Sequence, residues 1–220
     1  MKNNLIHPLW PIFVGEFHNP NHQKIKKDLI EFFQQYENEN KNSRKGNENF
    51  DLYESEYFLH KEKNDVLTKL LSFMAESFMT MASRINKEEL DKAENKNPKL
   101  TVKFNNSWFI RYNKGGVVIP HDHSGGSMSC VYYVQIGDEP DVNDIDSTNN
   151  GSTYFMRPYG RGTSHKDFGG IRYNKGASFF KAEEGKMLIW PSFIMHGSKP
   201  YLGKKNRIIM SANIDVDIAK

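Results

Sequence analysis

A change of hydrophobic period near Leu100 limits most strictly what this chain can fold into. Before it, apolar residues recur at helical spacing. Ile25, Leu29, Ile30, Phe33 and Tyr36 predict a helix over about 20–37, with Asn19 and Pro20 suited to its N-cap and first position. Val66, Leu67, Leu70, Leu71, Met74, Phe78 and Met81 form one stripe of a second helix from about Asn64 to Arg84. Between them, residues 37–50 are almost wholly polar and read as a surface loop. From Leu100 onward the period is two: Val102, Phe104, Trp108, Ile110 and Tyr112 alternate with more polar neighbours. Further strands are expected over 116–123, 128–136, 152–157, 177–181, 186–190 and 206–214, most separated by Gly, Asn, Asp or Pro. Helices first and many short strands afterwards predict a mainly β fold, a sandwich or jelly roll with two helices packed on one sheet.

The length of 220 residues suits one domain over 1–220, with 1–99 supplying an arm and supporting helices and 100–220 the β core. A hydrophobic content of 37% with 13% aromatics is that of a folding chain rather than a disordered one. The net charge of +3 comes from scattered residues, so no electrostatic footprint for nucleic acid is present. Cys130 is the only cysteine and has no internal disulfide partner; no apolar run is long enough to span a bilayer. Residues 1–15, interrupted by His7, Pro8 and Pro11, read as an early strand or extended arm rather than a signal peptide, and the cytoplasm is the expected location. Residues 137–175 are too long for a hairpin loop and carry Arg157, Arg161 and Arg172 among acids and glycines, as a lid or substrate-reading loop would.

His121 and His123 lie two apart in an extended stretch, so both side chains point to one face and Asp122 to the other. Imidazoles so placed suit iron, zinc or nickel, and a third ligand from a distant strand would complete a facial set. His196, after Met187–Trp190 and the turn at Pro191, is the candidate. His7, His18, His22, His60 and His165 have no comparable partners. Arg207 opens the apolar run Ile208-Ile209-Met210, where a positive charge needs an anion. Its planar fork suits a carboxylate, either of a bound dicarboxylate or of a protein ion pair.

Three strings carry a resemblance: Ser107-Trp108-Phe109-Ile110-Arg111-Tyr112-Asn113-Lys114-Gly115, then Pro120-His121-Asp122-His123, then Ser129-Cys130-Val131-Tyr132-Tyr133-Val134. Glu184 to Ser192 leading into His196, and the closing stretch Arg207 to Asn213, agree with them. Over roughly 100–214 the chain resembles a bacterial and phage family of 2-oxoglutarate-Fe(II) oxygenases with a prolyl-hydroxylase-like double-stranded β-helix. The resemblance implies Fe(II), 2-oxoglutarate and O2 as cofactors, His121, His123 and His196 at the metal, and Arg207 on the co-substrate. It further implies hydroxylation of a small-molecule or peptide substrate with release of succinate and carbon dioxide.

Two departures from the family pattern bear on the site. The wider superfamily has His-x-Asp or His-x-Glu, whereas position 123 here is histidine; either three imidazoles bind the metal or Asp122 substitutes through a local bulge, and strand alternation favours the first. The serine often found two residues after the co-substrate arginine is here Ile209. Ser211, further along the same face, or Tyr112 on the strand before His121, is the candidate to assist Arg207; a packed aromatic is the alternative for Tyr112. Two rival readings remain: a cupin-type three-histidine dioxygenase without 2-oxoglutarate, for which Arg207 has no use, and a jelly-roll binding module without catalysis.

Overall fold

The computed structural model describes residues 11–41, 50–92, 98–140, 149–158, 168 and 175–219. Along the chain these form β1 (Gly15–His18), α1 (His22–Glu39), β2 (Leu52–Glu54), α2 (Asp65–Ile85), α3 (Lys87–Lys92), β3 (Leu100–Tyr112), β4 (Met128–Gln135), β5 (Thr153–Met156), β6 (Ala177–Phe180), β7 (Lys186–Pro191), β8 (His196–Ser198) and β9 (Arg207–Ile218). The strands make two antiparallel sheets, a six-stranded one in the order β1-β7-β4-β9-β3-β2 and a three-stranded one in the order β6-β5-β8. The architecture is the expected double-stranded β-helix with two helices on one sheet. No helix among the described residues is long and apolar enough to cross a membrane.

Alternation along the central strands divides their side chains between two cores. Cys130, Tyr132 and Val134 of β4, Met187 and Ile189 of β7, and Ile208, Met210 and Ala212 of β9 meet the apolar stripes of α1 and α2, led by Leu29, Phe33, Leu67, Leu70, Met74 and Phe78. Their neighbours Val131, Tyr133, Leu188, Trp190 and Ile209 face the small sheet and pack with Phe155, Ile194 and Tyr201. The even-numbered apolar residues of β3 do not stay on one face. A register shift between Phe104 and Asn106 sends Leu100, Val102 and Phe104 to the helix side and Trp108, Ile110 and Tyr112 to the inter-sheet side. One extra residue in a strand reverses the parity of everything beyond it.

α2 starts as expected, with the Asn64 side chain accepting from the backbone N–H of Val66 and Leu67. α1 does not use Asn19 as its cap. Asn21 holds that position, while Asn19 accepts from the N–H of Asn21 through its side chain and from that of His22 through its carbonyl. The beginning of α1 presses on Gly185, whose φ is +79°; a Cβ there would come within 2.8 Å of the His22 Cβ. His22 Nδ1 and the Tyr132 hydroxyl lie 2.7 Å apart and tie this helix start to β4.

The strand expected over 116–123 is replaced by an extended edge segment with a single bridge, His121 to His196. Pro120 has no N–H to give to a ladder, and the N–H of Val118 goes to the Ser198 side chain. The short strands β2 and β8 and helix α3 carry too few periodic residues to be read from sequence. Of the polar stretch 37–50, α1 extends through its beginning, and 42–49 lie outside the described residues. The lid reading of 137–175 falls mostly on 141–148, 159–167 and 169–174, also outside them.

Phe33 is 1% exposed and stacks on Phe109 of β3, with ring centroids 4.4 Å apart. Phe33→Ala should cost about 3–5 kcal/mol of unfolding free energy, measured by urea denaturation, and Phe32→Ala, at a partly buried position, visibly less.

Candidate metal centre

The three candidate histidines come from three attachments to the scaffold. His121 exchanges backbone hydrogen bonds of 2.9 Å with His196 across the edge of the small sheet. His196 opens β8 and pairs on its other side with Phe155 of β5. His123 donates its N–H to the carbonyl of Ser192, in the turn after β7. The result is a cluster whose ligand nitrogens all lie within 4.8 Å of one another, at the mouth between the sheets. Asp122 is exposed and outside the cluster, so the alternative in which it displaces His123 through a bulge has no geometric basis here.

Each imidazole is held by its far nitrogen. His121 Nδ1 lies 2.9 Å from the carbonyl oxygen of Ile119 and His196 Nδ1 lies 2.9 Å from that of Ile194. A carbonyl only accepts, so the proton of each neutral ring is on Nδ1 and the Nε2 lone pair is free. His123 Nδ1 lies 2.6 Å from Asn213 Oδ1. The same logic leaves its Nε2 as an acceptor. His121 Nε2 and His123 Nε2 are 3.0 Å apart. Two lone pairs repel at that distance unless a cation lies between them, and nitrogens bound at about 2.1 Å on adjacent corners of one metal ion are spaced about 3.0 Å. The donor set therefore fits a borderline divalent ion with open positions on the cavity side.

Aromatic walls enclose the cluster. Trp108 stacks on His123 at 5.5 Å, and Trp190 lies tilted against His196 with ring centroids 4.6 Å apart. Beyond them lies a cavity of about 550 Å³ reached by Tyr57, Ile110, Tyr112, Val118, Ile119 and Thr153, with Glu54 and Asp122 on its wall.

Arg207, the first residue of β9, is 1% exposed. Its guanidinium lies over the Tyr112 ring at 4.7 Å and near the Tyr133 ring at 5.6 Å, and its Nε and Nη1 have no hydrogen-bond partner. No ion pair to Arg207 occurs among the described residues. Gly151, at φ +60°, closes over the guanidinium: a Cβ there would lie 2.5 Å from Nη1. Tyr112 is paired with Arg207 across β3 and β9 and lines the cavity. Burial raises the pKa of the Tyr112 phenol and pushes that of Tyr133 up to about 12, in each case opposed by the Arg207 charge, so both hydroxyls stay protonated. Ile209 and Ser211 follow Arg207 on the same face and also line the cavity. Arg111 of the motif string points the other way and bonds Glu37 on α1 at 2.8 Å.

The remaining histidines in view serve the scaffold or lie at its surface. His22 holds Tyr132, His60 meets the Ser107 hydroxyl at 3.0 Å, and His18 is exposed; His7 and His165 lie outside the described residues. Asn213, Ser129 and Ser192, which surround His123, were not singled out in the sequence. The available signal was a polar residue within the apolar run of β9, at the same parity as Arg207.

Burial, then the neighbouring His121, lowers the His123 pKa to about 4; burial above all lowers that of His196 to about 3. Both are therefore neutral near pH 7, as ligands must be. Their folded values lie below the unfolded value near 6.5, so the unfolded chain binds the extra protons. The stability they contribute is complete above about pH 6.5 and is lost as pH falls toward 4. The metal-free protein should accordingly melt at lower temperature with each step from pH 7 to 4.5, by up to about 1.4 kcal/mol per pH unit per histidine. His196→Gln should flatten that slope in a thermal-denaturation series.

Residues 106–213 match the family model described as "Putative 2OG-Fe(II) oxygenase". No curated protein matches the chain in sequence. Among solved structures, the chain is similar to HygX from Streptomyces hygroscopicus with nickel and 2-oxoglutarate bound, at 10% identity and a TM-score of 0.53 over 91% of this chain and 81% of that one. A Pseudomonas putida prolyl-4-hydroxylase aligns at 11% identity and 0.51 over 90% of each chain. A Trichoplax adhaerens prolyl hydroxylase in complex with a hypoxia inducible factor peptide fragment aligns at 12% and 0.52 over 91% and 83%. At such identities the likeness is one of fold. The family match, by contrast, spans Tyr112, the three histidines and Arg207 over about half of the chain, and it supports a 2-oxoglutarate-dependent oxygenase with Fe(II), 2-oxoglutarate and O2 as cofactors.

Proposed function

We propose that the protein is a hydroxylase in which His121, His123 and His196 hold Fe(II), and Arg207, backed by Tyr112, receives the distal carboxylate of 2-oxoglutarate. The observation that carries this reading is the buried guanidinium with two unpartnered nitrogens, on the strand that also holds His123 through Asn213. A charge in that position is costly without an anion, and a co-substrate carboxylate supplies one. The bound iron and 2-oxoglutarate supply the oxidising chemistry, which ends in succinate, carbon dioxide and a hydroxylated substrate.

The chain's own residues bind, orient and exclude water. The Nδ1 bonds of the three histidines keep each Nε2 directed at the ion. Trp108 covers one face of His123, Trp190 packs against His196, and Tyr112 supports the guanidinium with its ring. The wall of Tyr57, Trp108, Ile110 and Ile119 suits a small molecule or peptide side chain with an apolar portion, held near the metal while bulk water is kept out. The relatives differ in this respect: one HygX structure contains hygromycin B, and the Trichoplax enzyme a peptide. In this reading the chain acts as one oxygenase domain in the cytoplasm, without nucleic acid as a substrate.

Removing one partner of a sheltered charge pair costs on the order of 2–5 kcal/mol, about thirty- to several-thousand-fold in affinity. Arg207→Met should therefore raise the 2-oxoglutarate dissociation constant by at least about thirtyfold and leave Fe(II) binding nearly intact. An anaerobic titration that follows the visible charge-transfer band of the iron chelate measures both. His196→Ala should bind little Fe(II) and form no band. Equal bands in parent and Arg207→Met, or full metal occupancy in His196→Ala, would overturn the assignment.

A further inference from the structure

The superfamily's carboxylate ligand is an imidazole here, and an imidazole has a requirement that a carboxylate lacks: it must be in the correct tautomer. His121 and His196 have theirs set by backbone carbonyls. His123 depends on a side chain. Its Nδ1 faces Asn213 Oδ1 at 2.6 Å, and the same oxygen accepts the Ser129 hydroxyl at 2.8 Å. Ser129 lies 2.8 Å from the Ser192 hydroxyl, and all three partners are buried: Ser129 0% exposed, Ser192 2% and Asn213 6%.

The direction of this chain of bonds follows from its acceptor. With Asn213 Oδ1 turned to both neighbours, Ser192 donates to Ser129, Ser129 donates to Asn213, and His123 donates from Nδ1. Turning the amide over would place its NH2 against His123, draw the proton to Nε2, and point an N–H at His121 Nε2, 3.0 Å away. In that tautomer His123 is no ligand.

We propose that Asn213, locked by Ser129 and Ser192, is a positioning residue that sets the metal-binding tautomer of His123. The inference rests on the three-histidine reading of the centre but concerns a proton present without metal. Ser192 serves twice: its hydroxyl steadies Ser129 and its carbonyl accepts the N–H of His123, so backbone and ring are held by one turn. Asn213→Asp keeps an oxygen acceptor toward Nδ1 and strengthens it with charge; Asn213→Leu keeps the size and removes the acceptor.

The test uses the full chain with two readouts. Nitrogen-15 NMR of the histidine rings in metal-free protein reports the tautomer. His123 should carry its proton on Nδ1 in the parent and in Asn213→Asp, and on Nε2 in Asn213→Leu; Ser129→Ala, the milder change, should give a mixture. Anaerobic Fe(II) titration should show about 10- to 100-fold weaker binding in Asn213→Leu and parent-like or tighter binding in Asn213→Asp. An unchanged tautomer in Asn213→Leu, or loss of the Nδ1 proton in Asn213→Asp, overturns the proposal whether or not metal binds. A parent that takes up no Fe(II) overturns the three-histidine metal reading, and the ring-nitrogen spectra still decide the role of Asn213.

Discussion

Strand β9 is hydrogen-bonded along both edges, to β3 and to β4, and every side chain from Arg207 to Asn213 is thereby committed to one of two buried faces. Ile208, Met210 and Ala212 have no choice but the helix side, and Arg207, Ile209, Ser211 and Asn213 none but the opposite one, where the last three line the cavity. The site depends on that commitment. A slip of one residue would bury the guanidinium among the helices and turn Ile208 and Met210 toward the histidine cluster. The apolar half of the strand therefore fixes the polar half: the energy of packing three aliphatic residues against α1 and α2 holds Arg207 and Asn213 in register.

Much of this was legible in the chain because alternation is a local signal. The pair His121 and His123, the distant His196 and the charged residue at the head of an apolar run each stand out without knowledge of the fold, and the structure brings the three histidines together. The bulge in β3 was not legible. Val102 and Trp108 have the same parity and the same apolar character, and only pairing with β9 reveals that they occupy different cores. The strand expected at 116–123 failed for a related reason: its alternation is real, but Pro120 and the side chain of Ser198 take away the bonds that would have made a ladder.

Asn213 illustrates a different limit. Its residue type is common in turns and at strand ends, and its significance comes from Ser129 and His123, which are more than eighty residues away in sequence. A hydrogen bond that selects a tautomer leaves no periodic trace. Tyr112 lies between these cases, since its aromatic character suited both a packed ring and a site residue; the register opposite Arg207 sets its ring against the guanidinium.

On the proposed reading, the Arg207 guanidinium, whose Nε and Nη1 have no hydrogen-bond partner, also links folding to the solutes around the protein. An interior cation without an anion weakens the native state, and an anion that reaches it and does not bind the unfolded chain restores what was lost. The gain rises with the logarithm of ligand concentration, about 2.7 kcal/mol at one hundred times the dissociation constant. For a protein of ordinary stability that is a substantial fraction of the total. The folded population, and with it the protein's resistance to proteolysis, would then rise with the concentration of the dicarboxylate that Arg207 receives.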